Sequence, residues 1–103
     1  MKKEEKEKIY KKAIDKWGIP LQIIMLIEEC AELQKEMTKM LRKGITKKEM
    51  NEKVVEVAEE VADVEIMLGQ LDVFYKHLGI NDFRKIANKF KEAKLKRLKK
   101  MLR

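Results

Sequence analysis

Apolar residues recur every three or four positions along most of the chain, which is the spacing of one face of an α-helix. This repeat predicts four helices, over about residues 3–17, 21–42, 46–78 and 82–101. Gly18, Gly44 and Gly79 separate them, and Thr46 with Glu49 has the spacing of a capping box at the start of the third. Because the connections are short, consecutive helices lie antiparallel. The pattern therefore predicts an all-α, four-helix antiparallel bundle, with residues 1–103 as a single domain.

The positive charge of the chain is concentrated at its C-terminus. The formal net charge is +7. Residues 81–103 hold ten lysines or arginines against two acids, which gives +8, whereas residues 1–80 carry −1. A basic helix over 82–101 is typical of contact with nucleic acid, anionic lipid or the phosphates of a small ligand. A solvated helix face explains the same composition.

Composition narrows the cellular setting. The single cysteine, Cys30, leaves no internal disulfide and fits a reducing compartment, so we expect a cytoplasmic protein. The first residues contain no apolar segment of the kind found in secretory signals. The longest apolar run, residues 23–27, is far shorter than the roughly 20 residues that span a bilayer. We therefore expect no membrane-spanning segment.

Carboxylates on the two central helices form stripes in mirrored order. Glu29 and Glu32 lie in a helix that is apolar on almost every side, and Glu60 and Asp63 lie in a similar setting on the next helix. Both stripes have the spacing i, i+4, i+7, i+11 and are symmetric about residue 46, in the predicted turn. An antiparallel hairpin in this register predicts four facing pairs: Met25 with Met67, Glu29 with Asp63, Glu32 with Glu60, and Glu36 with Glu56.

Gathered carboxylates need a counter-charge. At roughly 5 Å and an effective dielectric near 20, each like-charged pair costs about 3 kcal/mol. Oxygen ligands without nearby histidine or cysteine favour Mg²⁺, or Mn²⁺, over zinc. Four carboxylates indicate an incomplete shell or two ions awaiting a phosphorylated ligand, with Glu36 and Glu56 placed to reach a second ion or an outer-shell water. The alternative is a solvated face of Glu–Lys pairs.

The two acidic motifs resemble a known family. The segments Ile-Glu-Glu-Cys-Ala-Glu-Leu around Glu29 and Glu-Glu-Val-Ala-Asp-Val around Glu60 resemble the MazG-like all-α nucleoside triphosphate pyrophosphatases. The preceding Trp17-Gly18 and Gln22 are similar to the short single-domain branch. The resemblance implies that Glu29, Glu32, Glu60 and Asp63 bind Mg²⁺ and form the catalytic centre. It also implies hydrolysis of a nucleoside triphosphate to the monophosphate and pyrophosphate, in a dimer or a pair of dimers.

Substrate binding requires cations as well as metal, because a triphosphate is strongly anionic. The basic helix offers them, and the resemblance implies the same role for that segment. Trp17 has a ring that stacks on a base or packs in the core, and Gln22 has donors and acceptors suited to a base edge. The candidate substrate-binding residues are Trp17, Gln22, Asn88, Lys89, Lys94 and Arg97.

Two functions without catalysis compete with this one. The basic segment is compatible with a small helical module that binds nucleic acid, but its aromatic residues, Phe83 and Phe90, fall on the apolar face. Nucleic acid is therefore the less favoured partner. A helical protein-interaction module that dimerises through methionine-rich faces explains the helices and leaves the carboxylate register as coincidence.

Overall fold

The computed structural model describes all 103 residues and contains only α-helices. The helices are α1 (Lys3–Trp17), α2 (Ile19–Met40), α3 (Lys47–His77) and α4 (Phe83–Met101). The predicted all-α four-helix bundle is confirmed, and each boundary falls within two residues of its predicted position. No helix combines the length and the apolar composition needed to cross a bilayer.

A single glycine joins α1 to α2. Gly18 has a φ of +82°, and its N–H donates to the carbonyl of Ile14 at 2.8 Å, which ends α1. Glycine reaches this conformation without the steric cost that a Cβ imposes. Pro20 lies in the first turn of α2, where its missing N–H removes no helical hydrogen bond. The two helices therefore follow each other with no intervening loop.

The α2–α3 hairpin is closed by the predicted cap. The Oγ1 of Thr46 accepts a hydrogen bond from the N–H of Glu49 at 3.1 Å, and Gly44 has a φ of +82° in the preceding turn. Arg42 of the turn also pairs with Glu49. This short, capped connection fixes the height of α2 relative to α3, on which the position of every carboxylate depends.

The core lies where α1 covers one end of the hairpin. Its most buried residues are Ile14, Gln22 and Met67, with 4%, 7% and 6% of their surface exposed. Close packing of α1 on α3 depends on Gly69, since a Cβ there would lie 2.8 Å from Cε2 of Tyr10. Because Gly69 has no side chain, the ring of Tyr10 packs directly against α3 at this position.

Helix α4 is attached at its first turn only. It contacts α3 alone, where the ring of Phe83 stacks on Tyr75 at 4.3 Å between centroids. Arg84 donates two hydrogen bonds to Asp72, from Nε at 3.1 Å and from Nη2 at 2.8 Å. No residue of α4 is buried, and residues 88–103 are all exposed. The helix therefore leaves the rest of the molecule beyond its first turns.

The chain is extended for its size. Its radius of gyration is 17.1 Å, whereas a compact domain of this length has about 13 Å. Its accessible surface is 8637 Å², whereas a compact monomer of this mass exposes about 6,100 Å². Much apolar surface thus remains uncovered.

Candidate metal centre

Three carboxylates from the two central helices meet between them. One oxygen each of Glu29, Glu60 and Asp63 lies within 4.8 Å of the other two, and all three residues are half-buried. Glu29 comes from α2, whereas Glu60 and Asp63 lie one helical turn apart on α3. The mirrored stripes predicted from the sequence bring these three side chains together.

The charges of this trio, Glu29, Glu60 and Asp63, are uncompensated. Partial burial raises the pKa of Glu29, and the negative charges of Asp63 and Glu60 raise it further. Burial also raises the pKa of Glu60, and the negative charges of Asp63 and Glu32 raise it further. No lysine or arginine forms an ion pair with the trio. The Oε2 atom of Glu60 is buried and has no hydrogen-bond partner.

Glu32 occupies the edge of this cluster. It is exposed and does not belong to the group of oxygens within 4.8 Å. Its charge nevertheless contributes to the raised pKa of both Glu29 and Glu60. The structure thus separates the four predicted ligands into three that converge and one that faces solvent beside them.

Lysines neutralise the end of the stripe nearest the loop. Lys53 lies 3.3 Å from Glu36 of α2 and 2.6 Å from Glu56 of its own helix. Hydrogen bonds from Lys39 and then Lys53 hold the pKa of Glu36 below its usual value. Glu36 and Glu56 face each other as the register predicts, and Lys53 supplies their counter-charge.

On the other side of the trio, the stripe continues into a small cavity. Gln22 of α2 and Gln70 of α3 both line it, and Gln22 Nε2 and Gln70 Oε1 are buried without hydrogen-bond partners. The enclosed space is about that of one water molecule. Leu26 lies beside Met67 in the wall. The predicted partner of Met67, Met25, is absent from this wall and is 37% exposed.

Trp17 is not a core residue. It lies at the end of α1 with 52% of its surface exposed. The Nζ of Lys16 lies 5.2 Å from the centre of its ring. An exposed aromatic face with a cation beside it is suited to stacking on a flat ligand. Gln22, by contrast, lines the cavity and has only 7% of its surface exposed.

The cationic candidates lie apart from the carboxylates. Asn88, Lys89, Lys94 and Arg97 are all exposed on α4. Because α4 contacts α3 only and has no contact with α2, the chain does not bring these residues to its own trio. Lys94 lies on the apolar side of α4, in a shallow groove that Phe90 also lines.

Two residues important to this region were missed by sequence reasoning. Gln70 was detectable, because the register that pairs Glu29 with Asp63 also pairs Gln22 with Gln70. Lys53 was harder to identify, since its spacing of three from Glu56 is common in this charged sequence. Its reach to Glu36 depends on the side-chain conformation across the hairpin.

Comparison of the chain with protein-family profiles, curated protein sequences and solved structures finds no match in any of the three. Functional assignment therefore depends on the geometry of Glu29, Glu60 and Asp63, together with the resemblance carried by their flanking residues.

Proposed function

We propose that this protein is a Mg²⁺-dependent nucleotide pyrophosphohydrolase, with Mn²⁺ as a possible substitute. It would convert a nucleoside or deoxynucleoside triphosphate to the monophosphate and pyrophosphate. The observation that carries the proposal is the trio of Glu29, Glu60 and Asp63, whose oxygens lie within 4.8 Å of one another without a cationic partner. The resemblance to MazG-like pyrophosphatases supplies the reaction.

The donor set fits a hard divalent cation. All three side chains offer carboxylate oxygen, which Mg²⁺ and Mn²⁺ accept. The Oε2 of Glu60 is buried without a hydrogen-bond partner, so one donor atom is desolvated before any ion binds. The raised pKa of Glu29 and Glu60 has the same origin, since negative charges stand together with no lysine among them. A bound dication would offset both the desolvation of the Glu60 oxygen and the repulsion among the three carboxylates.

The chain's own residues divide the work. Bound Mg²⁺ would supply charge neutralisation at the phosphates and would make the attacking water more acidic. Glu29, Glu60 and Asp63 would hold the ion between the two helices. Glu32, exposed at the edge of the trio, would orient the attacking water and accept its proton. Water adds to the α-phosphorus, the α–β anhydride bond breaks, and pyrophosphate leaves.

Recognition of the nucleotide falls to the other candidates. The exposed ring of Trp17 provides a stacking surface for the base. Lys89, Lys94 and Arg97 provide charge for the phosphates, and the position of α4 requires that another chain or a movement bring them to the trio. Gln22 reads a base edge only in a conformation that opens its cavity.

We further propose that the protein works as a homodimer or tetramer in the cytoplasm. The exposed apolar surface supports self-association, and an unpaired Cys30 supports a reducing compartment. The partner in the reaction is the nucleotide rather than a nucleic acid, because Phe83, an aromatic residue of the basic segment, packs on Tyr75 and is not free to stack on bases.

A nucleotide panel tests the activity. The full chain is incubated with each ribo- and deoxyribonucleoside triphosphate in Mg²⁺, in Mn²⁺ and in EDTA, and monophosphate and pyrophosphate are quantified separately. We expect equal amounts of the two products from at least one nucleotide, and none in EDTA. Failure to hydrolyse any nucleotide of the panel would overturn the proposal. Release of orthophosphate and a nucleoside diphosphate, in place of pyrophosphate and the monophosphate, would also overturn it.

A further inference from the structure

Two glutamines meet between α2 and α3 at the end of the hairpin away from the loop, where no ion pair joins the helices. Gln22 lies seven residues before Glu29, and Gln70 lies seven residues after Asp63, so both pairs follow the same antiparallel register. Both glutamines line one cavity. Gln22 is among the most buried residues of the chain, with 7% of its surface exposed. The core at this level therefore contains a polar pair.

Each glutamine has one buried atom without a hydrogen-bond partner. These atoms are Nε2 of Gln22 and Oε1 of Gln70. The first can only donate a hydrogen bond, and the second can only accept one. A direct bond between them would satisfy both, but no such bond joins the two side chains. Because a buried polar group loses free energy unless it recovers a hydrogen bond, the pair requires a molecule that serves both atoms.

The size and the wall of the cavity limit what that molecule is. The enclosed space is about that of one water molecule, and every other side chain in the wall is apolar. A cation would satisfy Oε1 of Gln70 but would face the N–H groups of Gln22. An apolar guest would satisfy neither atom. Water accepts one hydrogen bond while donating another, and buried waters in proteins bridge groups of this kind with about two to four bonds.

We propose that one internal water molecule binds between Gln22 and Gln70, accepting a hydrogen bond from Nε2 of Gln22 and donating one to Oε1 of Gln70. The water ties α2 to α3 at a level where no side chain of one helix bonds to the other. This site is formed by the chain alone, so it depends on neither a metal ion nor a nucleotide.

With this water, the helices are tied on both sides of the acidic trio. On the loop side, Lys53 of α3 lies 3.3 Å from Glu36 of α2. Glu36 lies seven residues after Glu29, and Gln22 lies seven residues before it. Each tie is therefore about 10 Å from Glu29 along the helix. Because like charges at the trio push the helices apart, we assign Gln22 and Gln70 as positioning residues that hold the carboxylates close together.

Nuclear magnetic resonance detects the water in the wild type, without any substitution. Nuclear Overhauser spectra in the laboratory and rotating frames are recorded at the side-chain amide of Gln22 in ¹⁵N-labelled protein. We expect cross-peaks to water that differ in sign between the two spectra. A water molecule that stays bound while the protein tumbles gives this result, whereas proton exchange gives equal signs. Absence of cross-peaks with opposite sign at this amide would refute the site.

Relaxation dispersion of ¹⁷O counts the long-lived waters. We expect one fewer in Gln22→Met/Gln70→Met than in the wild type, because methionine keeps an unbranched side chain and removes both polar atoms. The matched control is Gln34→Met, which changes an exposed glutamine of α2 and should leave the count unchanged. An equal count in the wild type and the double variant, with matching circular dichroism spectra, would place any internal water elsewhere and overturn the proposal.

Mn²⁺ binding tests the positioning role, which rests on the proposed metal centre. In Gln22→Met/Gln70→Met we expect the affinity for Mn²⁺ to fall several-fold. Ile14→Val changes the same cavity from α1, so it should lower stability without changing Mn²⁺ affinity. An unchanged affinity in the double variant would refute the positioning role. Wild type that holds the water but binds no Mn²⁺ would refute the proposed metal centre and leave the water site intact.

Discussion

Lys53 of α3 reaches across the hairpin to Glu36 of α2 at 3.3 Å while also binding Glu56 of its own helix at 2.6 Å. One ammonium group therefore neutralises the loop end of the acidic stripe. Glu60, seven residues further along α3 and about 10 Å away, has no such partner. Compensated and uncompensated acids thus lie on one stripe, and the proposed metal centre comprises only the uncompensated ones.

Removal of Lys53 should strengthen divalent-cation binding. In Lys53→Met the charges of Glu36 and Glu56 are no longer offset, which makes the potential at the trio more negative. We expect the affinity for Mn²⁺ to rise several-fold and no more than about tenfold at moderate ionic strength. Free Mn²⁺ is measured by electron paramagnetic resonance. Lys39→Met, which removes the exposed partner of Glu36 only, should have a smaller effect; unchanged or weaker binding in Lys53→Met would contradict this account.

Glu60→Gln should abolish hydrolysis while preserving the fold. The substitution keeps the shape of the side chain and removes the charge of this half-buried carboxylate. We expect kcat/KM to fall by more than about 100-fold, because substituting a residue that only hydrogen-bonds to a metal ligand already costs about 10–100-fold. Glu59→Gln removes the adjacent, exposed acid and should retain most activity. Equal activity of the two variants, with matching circular dichroism spectra, would show that the trio is not the catalytic centre.

Without metal, the stability contributed by Glu29 and Glu60 should fall as the pH rises above 4.5. The folded chain raises the pKa of Glu29 and Glu60 above 4.5, so it binds more protons than the unfolded chain in this range. Their favourable contribution is complete below 4.5 and is lost as the pH passes the raised pKa. Glu36, whose pKa is lowered, acts in the opposite sense only at more acidic pH.

Thermal unfolding in EDTA measures this pH dependence. Glu29→Gln/Glu60→Gln should flatten the decline, and Mg²⁺ should raise the melting temperature more at about pH 7.5 than at about pH 5, where protons compete for the carboxylates. A wild-type melting temperature that increases steadily over the same range would refute the uncompensated charge at the trio.

Gly69 and Tyr10 should be energetically coupled. A Cβ at Gly69 would lie 2.8 Å from Cε2 of Tyr10. In a Tyr10→Leu background, which removes the ring atoms concerned, Gly69→Ala should stabilise α3 by about 1 kcal/mol through helix propensity. In wild type the clash should remove that gain, with a coupling of about 1–3 kcal/mol. Urea unfolding of the wild type, the two single variants and the double variant measures this coupling. Additive changes in the free energy of unfolding would show that the Tyr10 ring moves aside freely.

Much of the hairpin was predictable because local rules determine it. Gly44 and the capping box at Thr46 set the turn, and a helix of fixed pitch then places Glu29 opposite Asp63. The same rules place Glu36 opposite Glu56. Periodicity alone thus gives both the fold class and the carboxylates that face each other.

The remaining features depend on side chains whose positions a pattern does not determine. Whether an acid meets a lysine or another acid depends on rotamers, and so Lys53 was missed and Glu32 was grouped with the trio. Apolar spacing also predicts that α4 has a face to bury without saying which surface buries it. Residues 88–103 are all exposed, so the apolar face of α4 is not covered by the rest of the chain.

Gly18 is the sole residue between α1 and α2, and this has a mechanical consequence. Ile14, which shields the cavity of Gln22, and Trp17, whose ring stands in solvent, occupy the same rigid rod one turn apart. Because Gly18 is the only connecting residue, a change in the orientation of α1 relative to α2 occurs at Gly18. We therefore expect a movement at Gly18 to change the access to Gln22 and the direction of the Trp17 ring together.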